Sequence, residues 1–311
     1  MGHIIVPLDG SGHNEAALPV AESLARTLGA PIELVQVVPG RGTRDRDDEK
    51  PARLYLDSIA RALPPELRAE ITICSGDPAQ CLLELAEARA LEPPALMVMG
   101  THGRSGIGRA VIGSVADRLA RSAPIPVTLV REPGQRTGPL QCLLVPLDGS
   151  ALAEQALPVA LELARESGAT VHLVRVVEPY WRSLAAAMGV ATAYVPPSDS
   201  AEVEQDMIDE ARAYLDGIAR QQRRVGARVA WEVRTGPAAP EILRAASTIG
   251  ADLVIVSSHG RGGLQRLALG SVADVLVRTG PAPVMLVPRA AQGTGELSER
   301  RLERPRRAVA S

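Results

Sequence analysis

The hexapeptide Val-Pro-Leu-Asp-Gly-Ser occurs twice, at Val6–Ser11 and at Val145–Ser150. His-Gly-Arg follows each copy, at His102–Arg104 and His259–Arg261. Gly-Ser-Val-Ala-Asp follows in turn, at Gly113–Asp117 and Gly270–Asp274. Three strings in one order, given twice, describe a tandem duplication whose period is a whole domain rather than a solenoid unit. Whatever one half folds into, the other must fold into as well. Loop sequences drift unless their backbone or side chains have a task, so three shared loop segments are candidate parts of a site.

Length agrees with duplication. The chain has 311 residues, room for two domains of ordinary size, each able to bury a core. The boundaries predicted are 1–132 for the first domain, 133–139 for a linker rich in Pro and Gly, and 140–289 for the second domain. Residues 290–311 are polar, rich in Arg and without apolar periodicity, which predicts a disordered tail.

Within the first half, Ile4–Leu8, Ile32–Val38, Glu70–Ser75, Leu96–Gly100 and Val127–Val130 are short apolar runs that read as buried strands. Between them, Glu15–Leu28, Arg53–Leu63, Ala79–Ala90 and Ser114–Arg121 carry apolar residues at helical spacing. Arg41–Lys50 reads as a charged loop. Alternating strands and helices with near-continuous apolar strands predict a doubly wound α/β layer with a five-stranded parallel sheet, order 3-2-1-4-5. The second half repeats the pattern from Leu143 to Val287, with an insertion around Tyr180–Ser200 after its second strand.

Composition narrows the function. The content is 46% hydrophobic and 23% charged, and the formal charge is −2. That balance offers no general attraction to nucleic acid or to an anionic membrane. No apolar run approaches the ~18 residues of a membrane span. The N-terminus enters a strand directly, without the basic and apolar regions of an export signal. Cys74, Cys81 and Cys142 form no Cys-x-x-Cys pair, which points to a reducing compartment and no metal site. A cytoplasmic location is the expectation.

The chemistry falls after the fourth strand. Gly100-Thr-His-Gly103 leads, nine residues later, into Gly113-Ser114-Val115. Open α/β sheets bind ligands at the carboxyl ends of strands. Glycines let the backbone approach a ligand closely. Ser114 is placed to cap the following helix, whose N-terminal N–H groups favour an anion. Asp9, at the end of the first strand, suits a ribose hydroxyl or an adenine amino group, or merely closes a turn through its own side chain. His102 and His259 have no evident partner for general-base work. Arg104 and Arg261 are equally suited to phosphate or to solvent. No residue is assigned a catalytic role.

A strand ending in Pro-x-Asp, then an apolar strand followed by Gly-x2-Gly-x9-Gly-Ser, resembles the ATP-binding type of universal stress protein, and does so in both halves. The resemblance implies that Pro7, Asp9 and Val37 hold the adenosine of ATP, with ADP and AMP as alternatives. It implies that Gly100, His102, Gly103, Arg104, Gly113, Ser114 and Val115 surround the phosphates. The second set is Pro146, Asp148 and Val176 with Ser257, His259, Gly260, Arg261, Gly270, Ser271 and Val272. Ser257 departs from the pattern, since the first half has Gly100 there. Mg or Mn would be bound mainly through the phosphates. In a 3-2-1-4-5 sheet the fifth strands, Pro126–Val130 and Pro283–Val287, are apolar edges with no charge before Arg131 or Arg289. This predicts that they pair antiparallel in an intramolecular pseudo-dimer, as separate subunits do in single-domain relatives. A further homodimer and a protein partner stay open. The favoured role is a regulatory stress-response protein that binds ATP. The alternatives are a slow ATP-hydrolysing enzyme and a partner-binding module with vestigial sites. The chain has no Gly-x4-Gly-Lys-Ser/Thr loop.

Overall fold

A computed structural model describes residues 2–39, 46–92, 95–101, 112–131, 138–178, 200–258 and 269–289. The core of the expected linker (132–137), the expected tail (290–311), most of the Tyr180–Ser200 insertion and the first part of the charged loop fall outside them.

The first half runs β1 (His3–Pro7), α1 (Gly12–Glu15), α2 (Leu18–Leu28), β2 (Ile32–Val38), α3 (Arg46–Ala62), β3 (Ala69–Ser75), α4 (Pro78–Arg89), β4 (Ala95–Gly100), α5 (Ser114–Ser122) and β5 (Val127–Val130). The second runs β6 (Cys142–Pro146), a 3₁₀ turn (Ala153–Gln155), α6 (Ala156–Ser167), β7 (Thr170–Val177), α7 (Ser200–Arg224), β8 (Val229–Thr235), α8 (Ala238–Ile249), β9 (Leu253–Ser257), α9 (Ser271–Thr279) and β10 (Val284–Val287). The strands form one ten-stranded sheet, β3-β2-β1-β4-β5-β10-β9-β6-β7-β8. Each half is parallel in the order 3-2-1-4-5. The halves meet where β5 and β10 pair antiparallel, Leu129 opposite Val284 and Val127 opposite Leu286. The pseudo-dimer is therefore a continuous sheet, and neither fifth strand is an edge.

Two apolar cores explain why the inner strands read as near-continuous hydrophobic runs. One lies under α2, α3, α6 and α7 and includes Ile4, Leu24, Leu56, Leu143, Leu163 and Leu215. The other lies under α4, α5, α8 and α9 and includes Met97, Leu119, Leu129, Leu276 and Leu286. Both cross from one half to the other, so the duplication shares its interior. Asp117–Arg121 on α5 and Asp274–Arg278 on α9 form intrahelical ion pairs. The Asp117 hydrogen bond, against burial, raises the Arg121 pKa, and across the junction Asp274 adds to the rise while Arg278 opposes it.

Three helix limits differ from the sequence reading. The run Glu15–Leu28 is two pieces, because Pro19 has no N–H for the Glu15 carbonyl and its ring crowds that oxygen. The helix expected at Arg53 begins at Arg46, with Pro51 inside it. The helix expected at Ala79 begins at Pro78, after Asp77 caps it by accepting from Gln80 N–H at 2.8 Å.

Candidate functional site

The site begins with a missing hydrogen bond. Ile4 N–H donates to Pro31 O at 2.9 Å and Leu8 N–H to Val35 O at 2.7 Å. Alternate N–H groups of β1 therefore face β2, and those of Ile5 and position 7 face β4. Position 7 is proline and has nothing to donate. The β1–β4 ladder accordingly stops at Ile5 opposite Met97, although β4 continues to Gly100. The second half repeats the device. Leu147 N–H donates to Val174 O at 2.8 Å, Pro146 faces β9, and the β6–β9 ladder stops at Leu144 opposite Val254. In both halves the sheet parts at the point where the chain switches faces, α2 and α6 on one side, α5 and α9 on the other.

Asp9 and Asp148 stand at one lip of that opening. Ser11 N–H and Oγ both reach Asp9 Oδ1, at 2.9 and 2.6 Å. Ser150 N–H reaches Asp148 Oδ1 at 2.9 Å. Each aspartate thus closes a turn with its own side chain, and the glycine after it takes φ +81 at Gly10 and +83 at Gly149, a conformation glycine adopts at little cost. The turn reading and the ligand reading of Asp9 are compatible, because the turn fixes where the carboxylate points.

The other lip is the helix after the fourth strand. Gly100 is buried at the end of β4. Thr101 N–H bonds Val130 O at 2.9 Å, and Thr101 O accepts the Gly113 N–H at 2.8 Å. Gly270 N–H to Ser258 O, at 3.3 Å, is the counterpart. These bonds cinch the base of each glycine-rich loop. Ser114 is not the cap that its residue type suggests. Gly113 is the cap, with φ −62 and ψ 150, and Gly270 is the second. Their carbonyls accept from Asp117 and Asp274 N–H at 2.9 Å. Ser114 and Ser271 occupy the first helical position, exposed. The N–H groups of Ser114, Val115 and Ala116 lie before the first helical bond and have no partner among the described residues. The same holds for Ser271, Val272 and Ala273. His102, Gly103, Arg104, His259, Gly260 and Arg261 lie outside the described residues.

Val37 and Val176 sit half-buried near the ends of β2 and β7 and pack on the same apolar core as Val115 and Val272. Among the described residues no group of three or more His, Cys, Asp or Glu is arranged to hold a metal. Burial, more than any charge, pushes the Cys74 and Cys81 thiols up, which leaves them poor nucleophiles.

Sequence reasoning missed one constellation. Tyr55 on α3 donates to Glu15 Oε1 at 2.8 Å, and Tyr214 on α7 donates to Glu154 Oε1 at 2.8 Å. A signal existed. Ala52–Arg61 and Ala211–Arg220 share Ala-Arg-x-Tyr-Leu-Asp-x-Ile-Ala-Arg. In the second half the Arg175 guanidinium also lies over the Tyr214 ring, 5.0 Å from its centroid.

Comparison with known proteins now bears on this geometry. The universal stress protein family matches residues 1–131 and again 140–288. The universal stress protein Rv1996 of Mycobacterium tuberculosis is 28% identical over 311 residues, covering 91% of this chain and 94% of that protein. The universal stress protein YxiE of Bacillus subtilis is 28% identical over 145 residues, 47% of this chain and 97% of its own; it corresponds to a single half. The crystal structure of a universal stress protein from Archaeoglobus fulgidus shares the fold, with a TM-score of 0.68 at 20% identity, covering 93% of this chain and 98% of that one. Among the described residues no helix is long and apolar enough to cross a membrane. With both halves matched separately, the chain belongs to the universal stress protein family as a tandem pair of its domains.

Proposed function

We propose that the chain binds ATP at the parted strands of each half and acts as a regulatory stress-response protein. The observation that carries this reading is the paired opening itself. One lip presents three helix N-terminal N–H groups, which suit phosphate. The other presents a fixed carboxylate, which suits a sugar hydroxyl or an amino group and would repel phosphate. A nucleotide has both ends in the required order.

In this reading Pro7, Asp9 and Val37 hold the adenosine. Gly100, Gly113, Ser114 and Val115, with His102, Gly103 and Arg104, take the phosphates. Pro146, Asp148, Val176, Ser257, Gly270, Ser271 and Val272, with His259, Gly260 and Arg261, form the second set. Ser114 and Ser271, exposed at the first helical positions, act through their hydroxyls. A divalent cation, Mg or Mn, would be held mainly by phosphate oxygens and water. With no general base assigned, the expected behaviour is retention of ATP rather than rapid turnover.

The test is direct. Nucleotide released from purified protein is identified by mass spectrometry, and melting is followed with MgATP. At a hundredfold excess over Kd, binding stabilises the native state by about 2.7 kcal/mol. Protein that carries no nucleotide and melts identically with and without MgATP would refute the proposal. Rapid multiple turnover would instead make it an enzyme.

A further inference from the structure

The two tyrosine–glutamate pairs lie outside the glycine-rich loop, yet each is tied to the aspartate turn. Glu15 is the last residue of the first short helix, four residues before Pro19, and Glu154 lies within the 3₁₀ turn, four residues before Pro158. Both glutamates lie in the short segment that follows the aspartate, where Glu15 N–H donates to Ser11 O and Glu154 N–H to Ser150 O, each at 3.2 Å. In the first half, Tyr55 holds Glu15, Ser11 Oγ accepts Asn14 N–H at 3.4 Å, and Ser11 N–H and Oγ hold Asp9. In the second, Tyr214 holds Glu154, Ser150 Oγ accepts Ala153 N–H at 3.1 Å, and Ser150 N–H holds Asp148.

Electrostatics locate the phenols beside the turn. Burial first, then the hydrogen bond and charge of Glu15, then the charge of Asp9, raise the Tyr55 pKa, while the Gly10 backbone N–H opposes them. Burial and Glu154 raise the Tyr214 pKa, with Asp148 adding to the rise and Arg175 opposing it. Both phenols stay protonated, so each is a donor and its glutamate an acceptor.

We propose that Tyr55 and Tyr214 are positioning residues for the nucleotide, each clamping its aspartate turn so that Asp9 or Asp148 meets the adenosine. The proposal rests on the ATP-binding reading above. It adds that α3 and α7, the helices after the second strand of each half, are coupled to what the site holds. A purely structural tyrosine would lower stability without distinguishing one end of the nucleotide from the other.

The experiment uses the full chain, with Gly270→Val silencing the second site so that the first is read alone. Tyr55→Phe is expected to weaken MgATP about tenfold, the size of one lost hydrogen bond to a charged group, and to leave inorganic tripolyphosphate binding unchanged. Glu15→Gln, which keeps an acceptor, is expected to retain most of the affinity; Glu15→Ala is expected to behave like Tyr55→Phe. In an Asp9→Asn background Tyr55→Phe should cause no further loss. Hydrogen exchange without ligand gives an independent reading: amides of residues 9–15 should exchange faster in Tyr55→Phe. Unchanged exchange overturns the clamp whatever the ligand. Equal losses for MgATP and tripolyphosphate, or full additivity with Asp9→Asn, overturn the positioning role. If the wild type binds no MgATP, the ATP reading and the positioning role fall together, while exchange still decides whether the clamp exists.

Discussion

At the end of β3, Cys74 and Cys81 flank a glycine turn, and Cys81 Sγ donates to Ser75 O at 3.6 Å. At the matching place after β8, Arg234 and Glu241 form an ion pair of 3.2 Å. The turn glycines, Gly76 with φ +135 and Gly236 with φ +142, are alike, and a Cβ on either would meet Cys81 or Glu241 at 3.4 or 3.2 Å. The start of β2 shows a similar contrast. Glu33, fully buried, takes Arg89 at 2.9 and 3.1 Å and Thr72 at 2.7 Å. Its counterpart on β7 is the half-buried His172, while Glu232 on the neighbouring strand pairs with Arg234 at 3.0 Å. The halves thus keep their backbone devices and exchange their side-chain pairs. Prolines that part strands, glycines that turn and tyrosines that clamp recur. The polar groups around these backbone devices differ in kind from one half to the other.

Breaking the junction tests whether the halves can stand apart. Leu129, 2% exposed, faces Val284 in the central pairing. Leu129→Glu places an unpaired charge there and is expected to cost about 4 kcal/mol or more. Thermal denaturation with size-exclusion chromatography reads the loss, as separated or aggregated halves. An unaltered melting curve would mean that the shared strand pair contributes little.

A smaller effect sharpens the comparison of the two sites. Gly113→Val and Gly270→Val should each remove one MgATP equivalent in calorimetric titration, with at least about tenfold weakening at the altered site. Gly113 has φ −62, ordinary for any residue, so the lost binding would come from the side chain blocking approach rather than from strain. The first site is expected to be the tighter in the wild type, because Ser257 replaces Gly100. Two indistinguishable sites would remove that asymmetry.

The smallest effect is in pH. Burial holds the His172 pKa below its ordinary value, despite Glu232. The unfolded chain then binds the proton more readily, so stability is lost as pH falls from about 6.5. For Glu33, burial alone would raise the pKa, but hydrogen bonds from Arg89 and Thr72 and the charge of Arg89 outweigh it, and the net shift is downward. Its contribution is full above about 4.3 and is lost as pH falls through the depressed folded value. Denaturant melts from pH 7 to 3 should show two windows. His172→Gln should flatten the upper one and leave the lower. A His172→Gln profile that matches wild type would show that this histidine does not titrate differently on folding.

These contrasts also show what the sequence could tell. Ile4–Val6 and Val127–Val130 were legible because strands buried on both faces read as near-continuous apolar runs, with Thr128 the one polar residue of the two. The junction followed from the same fact, an apolar strand with nothing to blunt its edge. The cap was misread because Ser114 has the preferred residue type, whereas Gly113 supplies the extended backbone and the carbonyl that begin the helix. Glu33 drew no notice, since its partner Arg89 lies 56 residues away. Tyr55 lies in a helix 40 residues from Glu15 in sequence, and only the fold brings them together.

The strand pair β5–β10 has one more consequence. In a dimer of identical chains every substitution appears in both sites at once. Here the partners are linked covalently, so Gly100 and Ser257, or Gln36 and Arg175, can differ within one particle. Dilution does not part them either, because tethered partners meet at an effective concentration on the order of millimolar. Each molecule therefore carries one site of each kind, in fixed proportion, however scarce the protein becomes.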